Sequence, residues 1–116
     1  MTRQASQMEA IVQLVIDLPG LQAFLHPELP DRKPLVLIQT KEVSAGLVLT
    51  KFGQPVVIRE LREAEGKPYL HLVSVEVSGA SAKVRLAYPV EGVGGEAELE
   101  EKGGVWRVVK SEIWER

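Results

Sequence analysis

Two histidines, His26 and His71, are the side chains of this chain whose ordinary chemistry lets them gain or lose a proton near neutral pH. His71 lies in a run where Tyr69, His71, Val73, Val75 and Val77 alternate with Leu70, Leu72, Ser74, Glu76 and Ser78. Strict alternation predicts a strand, and its parity places His71 on the apolar face. An imidazole there could act as an acid or a base, or could hold a ligand. Tyr88 closes a second alternating run, Ala82, Val84, Leu86 and Tyr88, so its hydroxyl can line a pocket beside His71. His71 and Tyr88 are therefore the candidate ligand-binding residues, for a small hydrophobic molecule held between helix and sheet. Against this stands a purely structural role, because one histidine with no orienting carboxylate is not a catalytic constellation. The sequence leaves open whether the chain is an enzyme.

Other polar residues point away from chemistry. His26 and His71 have no third ligand at recognisable spacing, and no HxxxH or HxH occurs, so no metal site is expected. Gly92, Gly94 and Gly95 do not precede a helix and sit among Glu91, Glu96 and Glu98, which would repel a phosphate. They predict a glycine-rich hairpin turn, and no cofactor is expected. Asp17 falls on the outward side of its helix and reads as a solvated acid. The absence of cysteine removes disulfides, thiolate metal sites and cysteine nucleophiles together. Fourteen basic and sixteen acidic residues leave a net charge of -2, which argues against nucleic acid as a partner. Glu9, Gln13 and Asp17 interrupt the apolar N-terminal stretch, unlike a signal peptide, and no run reaches membrane-spanning length. No membrane partner is expected, and the cytoplasm is the expected compartment.

The elements that must position these residues follow from a change of period. Met8, Ile11, Val12, Val15 and Leu18 recur at helical spacing, and Ser6 with Glu9 predicts a capping box at the start. Pro19 and Gly20 end that helix, Leu21, Phe24 and Leu25 make a short apolar turn, and the proline-rich residues 26–34 form a loop. Leu35 to about Val43 predicts a buried strand, and Val56 to Leu61 another. Residues 44–52 stay ambiguous, and Glu63 to Pro68 form a charged turn. The second half predicts a four-stranded antiparallel meander, with a hairpin near Gly79 and turns at 91–95 and 102–104. All 116 residues fit one α+β domain, an N-terminal helix packed on a strongly curved, mainly antiparallel sheet.

The closing run GGVWRVVKSEIWER puts bulk on both strand faces. Trp106 and Val108 share one parity with Trp114, while Val105, Val109 and Ile113 share the other. A bulge near Val108 or burial of both faces resolves the conflict, and burial of both is the favoured expectation.

The segment from Ala82 to Glu115 resembles the C-terminal sheet of the nuclear transport factor 2-like, or cystatin-like, superfamily, and the resemblance covers residues 69–116 and, loosely, the N-terminal helix. There a polar hairpin turn followed by Gly-x-Trp-x-Val opens the last long strand, matched here by Gly104, Trp106 and Val108. The resemblance implies a cone-shaped sheet wrapped around a helix, and frequent dimerisation through the outer sheet face. Its enzymes place an Asp-His or Asp-Tyr pair in the cone, and no such pair can be assigned here. The expected function is accordingly a non-catalytic module, a homodimer or protein-binding domain with Trp114 at the interface. The alternative is a lyase, an isomerase or a binding protein whose pocket contains His71 and Tyr88.

Overall fold

The computed structural model describes residues 3–115 and has an α+β fold. Helix α1, Arg3–Ile16, buries Ile11, Val12, Val15 and Ile16 along one stripe, as its apolar spacing requires. Ser6 already lies inside this helix, so the helix does not begin where the expected capping box put its start. Glu9 instead accepts a hydrogen bond from the Val48 amide at 2.8 Å. Helix α2, Pro19–Leu25, starts on proline, whose missing N–H costs nothing in a first helical turn. It ends at His26 in the left-handed conformation. No single helix among the described residues is long and apolar enough to cross a membrane.

The middle of the chain departs most from expectation. Strand β1 is only Val36–Ile38, and it pairs in parallel with β4, Val57–Arg59. On its other side β1 meets Leu70, through Ile38 N–H to Leu70 O at 3.0 Å and Leu70 N–H to Val36 O at 2.8 Å. Between β1 and β4 a small hairpin joins β2, Thr50–Lys51, to β3, Gln54–Pro55. Phe52 and Gly53, with φ of 57° and 74°, form its two-residue turn in the mirror-image geometry that suits strand twist. Part of the predicted charged turn is a short helix, α3, Leu61–Ala64, capped reciprocally by Glu60 and Glu63.

Glu9, Gln13 and Asp17 do not simply face water. Gln13 donates from Nε2 to Thr50 O at 2.9 Å and accepts from Thr50 N–H at 3.1 Å, while Lys51 Nζ reaches Asp17 at 2.9 Å. The polar side of α1 thus carries the β2–β3 hairpin.

The second half is the predicted antiparallel meander, in the order β5 (His71–Ser78), β6 (Ser81–Tyr88), β7 (Val93–Lys102) and β8 (Val105–Glu115). Its inner face packs on the helices. Two bulges correct the expected parity. In β5 the register jumps from Leu72 opposite Leu86 to Ser74 opposite Arg85, leaving Val73 as the extra residue. Leu70 and Leu72 therefore point inward before the bulge, and Val75 and Val77 after it. In β8 Val108 opposes Leu99 and Lys110 opposes Glu98, so Val109 is extra. Trp106 and Val108 face the core, Ile113 does so again beyond the bulge, and Trp114 turns outward. The expected burial of both faces is not met within the chain, because Val105 is 66% and Val109 47% exposed.

Gly94 and Gly95 also differ from expectation, since both are strand residues and the turn is confined to 89–92. A Cβ on Gly95 would lie 2.5 Å from Ile113 Cδ1 and 2.8 Å from Glu112 O. The bare backbone lets Ile113 lie across β7, and a Cβ on Gly20 of α2 would meet the same side chain at 3.2 Å. Gly95→Ala is expected to destabilise the fold by about 1 to 3 kcal/mol, the usual cost of overpacking. Gly46→Ala, where nothing lies within 4 Å of the new methyl, should stay within about 0.5 kcal/mol of the parent. Parallel thermal melts of the two variants check the contrast.

Candidate functional site

The bulge in β5 decides where His71 goes. His71 pairs with Ala87, and Ala87 pairs with Gly94, which pairs with Trp114. These four residues make one row across the outer face of the meander. Beside this row lies an open trough of about 310 Å³, lined by Val73, Ser74, Arg85, Leu86, Gly95 and Trp114. Val73 is 55% exposed and Trp114 37% exposed, so apolar surface lines the trough on the side away from the helices. Burial holds the half-buried His71 imidazole below its usual 6.5.

Tyr88 lies on the other side of the sheet. It is next in sequence to Ala87, so alternation turns it inward, where it is fully buried. The structure does not bring His71 and Tyr88 together as the walls of one pocket, because the sheet separates them. The interior between α1, α2 and the sheet is taken up by side chains such as Ile11, Val15, Leu21, Leu25, Leu72 and Leu86. An open groove of about 400 Å³, reached by neither His71 nor Tyr88, lies at its edge between Leu14, Leu18 and Pro19 and the strand residues Val108 to Ser111.

Tyr88 instead joins a polar group that the sequence did not single out. Its hydroxyl approaches Leu25 O at 3.4 Å, and the Arg32 guanidinium lies 5.9 Å from its ring centroid. Arg32 donates from Nη2 to Glu91 Oε2 at 2.8 Å and from Nη1 to Leu25 O at 3.4 Å. Among the described residues Arg32 is the charged side chain held in the core, 9% exposed. The hydrogen bond that Arg32 donates to Glu91 raises the Arg32 pKa, and burial raises that of Tyr88. His26 completes the group, with Nδ1 3.0 Å from Glu28 Oε2 and Nε2 3.8 Å from Glu91 Oε1.

Chemically, this second cluster is closed on itself. Arg32 and Glu91 neutralise each other, and the tyrosine remains protonated at neutral pH, so the buried part of the cluster holds no unpaired charge. Its evident work is to tie the proline-rich loop 26–34 to the 3-10 turn Pro89–Glu91. The only sequence signal for it was an arginine inside a proline-rich loop otherwise suited to the surface. No group of three or more metal-ligating side chains is placed to share an ion among the described residues. Compared with models of known protein families, with curated proteins and with solved structures, the chain matches none.

Glu91→Gln is expected to cost about 1 to 3 kcal/mol, since it leaves the Arg32 charge buried with only a neutral partner. Tyr88→Phe should cost less than Glu91→Gln, as its hydroxyl bond is long. Chemical denaturation of both variants measures the order. His71 gives a separate pH signature. Its folded pKa is depressed, so its contribution to stability is present above pH 6.5 and is lost as pH falls through the folded value. Denaturation midpoints recorded across this acid range should decline in the parent, and His71→Gln should flatten that component.

Proposed function

We propose that this chain is a non-catalytic module that pairs with a second copy of itself through the outer face of the β5–β8 sheet, in the manner of nuclear transport factor 2-like domains. The observation that carries this is the outer face itself. Val73, Val105, Val109 and Trp114 are all exposed on or beside it, from 37% for Trp114 to 66% for Val105. Scattered exposed valines are ordinary, but a tryptophan and a valine in a trough on a four-stranded sheet, with Ser74 and Arg85 beside them, make the kind of surface that association buries. Strand β8 adds to this, because it is eleven residues long and forms the sheet's edge.

The resemblance in the closing strands supports the same conclusion. Gly104, Trp106 and Val108 open the last strand as the superfamily pattern requires, and three helices, the third a single turn, precede the meander among the described residues. A strongly curved, cone-like sheet belongs to this proposal, and the bulges at Val73 and Val109 favour it by increasing local twist. The polar groups support a binding module over an enzyme, since His71 and Tyr88 lie on opposite faces and the Arg32 cluster is internally neutralised.

The two tryptophans separate folding from association. Trp106 is 7% exposed, and its ring packs in the core. Trp106→Ala is expected to lower stability by about 3 to 5 kcal/mol. Trp114→Ala should leave the melting temperature of the monomer nearly unchanged and shift the monomer–dimer balance toward monomer. Sedimentation across a concentration series, beside thermal melts, reads both effects. A parent chain that stays monomeric at high concentration would sink the proposal, as would a Trp114→Ala protein that unfolds while still dimeric.

A further inference from the structure

Strand register sorts the outward side chains of the meander into rows, each read in the order β5, β6, β7, β8. One row is His71, Ala87, Gly94 and Trp114. The next is Ser74, Arg85, Glu96 and Glu112. Then come Glu76, Lys83, Glu98 and Lys110. Within one chain the third row already alternates in sign, and in the second Arg85 lies 3.9 Å from Glu96, which has Glu112 on its other side.

We propose that two copies lay these faces together about a two-fold axis that runs along the strands, between β6 and β7. This rests on the self-association proposed above and fixes its geometry. Such an axis turns each row over onto the same row of the partner, so β5 faces the partner's β8 and β6 faces the partner's β7. Every charged match is then attractive. Arg85 meets the partner's Glu96, Lys83 meets the partner's Glu98, and Glu76 meets the partner's Lys110. The first row is complementary in shape instead. Ala87 faces the partner's Gly94, which lets the sheets approach, while Trp114 comes down beside the partner's His71 and Val73.

A two-fold axis running across the strands, between the second and third rows, fits less well. Each strand would face its own copy reversed, bringing Arg85 onto the partner's Lys83 and Glu96 onto the partner's Glu98, against one attractive match, Glu112 with the partner's Lys110. Like charges so placed are strongly unfavourable in a contact that excludes water. The along-strand axis also belongs to the aligned class of sheet packing, in which strand directions stay within about 30°. A second copy is therefore the occupant that the charge pattern fits, and its orientation follows from the register.

The decisive experiment is a charge exchange followed by sedimentation. Lys83→Glu and Glu98→Lys should each weaken self-association at least about tenfold, because each creates two repulsive matches per dimer. An equimolar mixture of the two variants should recover a one-to-one heterodimer, in which both matches are attractive again. Each variant also sets like charges side by side within its own sheet, and mixing does not relieve that, so recovery reports only the contact between chains. Arg85→Glu and Glu96→Arg repeat the test in the neighbouring row, should either first variant fail to fold. Single variants that associate like the parent or more tightly overturn the axis, and so does a mixture that fails to recover, while self-association itself survives. A monomeric parent removes the underlying proposal and the axis with it.

Discussion

Ile113 sits between two glycines, and much of the sheet's arrangement depends on that seat. Its side chain lies over Gly95 of β7 and against Gly20 of α2, at distances that leave no room for a Cβ on Gly95. The contact joins the second helix to the far end of the last strand. It also fixes the phase of β8 beyond the bulge at Val109, because a strand with Ile113 inward must carry Trp114 outward. The outer trough, and with it the row that links His71 to Trp114, is set by an isoleucine on the opposite face.

The meander was legible because its strands are local and mostly regular. Ala82, Val84 and Leu86 alternate cleanly with Ser81, Lys83 and Arg85, and the buried residues of β6 follow that phase. Parity failed where one extra residue entered a strand. Alternation carries no mark of a bulge when the inserted residue is another valine, as at Val73 and Val109, so parity put His71 on the inner face with Val75 and Val77 and gave Trp106 and Trp114 the same face. The parallel pairing of β1 with β4 was hidden for a different reason. It joins residues about twenty positions apart across a hairpin and a turn, and short apolar runs do not name their partners. Gly95 misled in the same way, since a glycine that makes room for a neighbouring strand looks in sequence like a glycine that turns the chain.

Legibility of the candidate site divides along the same line. Trp114 and His71 stood out by residue type, but their relation is a matter of register, four strands wide, which no single stretch of sequence displays. Arg32 and Glu91 are fifty-nine residues apart and come together only because the proline-rich loop folds against the end of the sheet. Neither residue is unusual where it stands. Their pairing is what makes a buried guanidinium tolerable, and pairing is a property of the fold.

The carboxamide of Gln13 has one more consequence. Thr50 and Pro55 are opposed in the β2–β3 hairpin, and the Thr50 amide is satisfied by Gln13 Oε1 across from α1. Solvent exchange of that amide hydrogen therefore depends on the helix and not on the hairpin's own ladder. A slow Thr50 amide marks the hairpin as seated on α1, and a fast one marks a hairpin that has swung away with its strand pairing intact. One side chain thus makes a single backbone proton a reporter of how firmly the first helix is held to the middle of the chain.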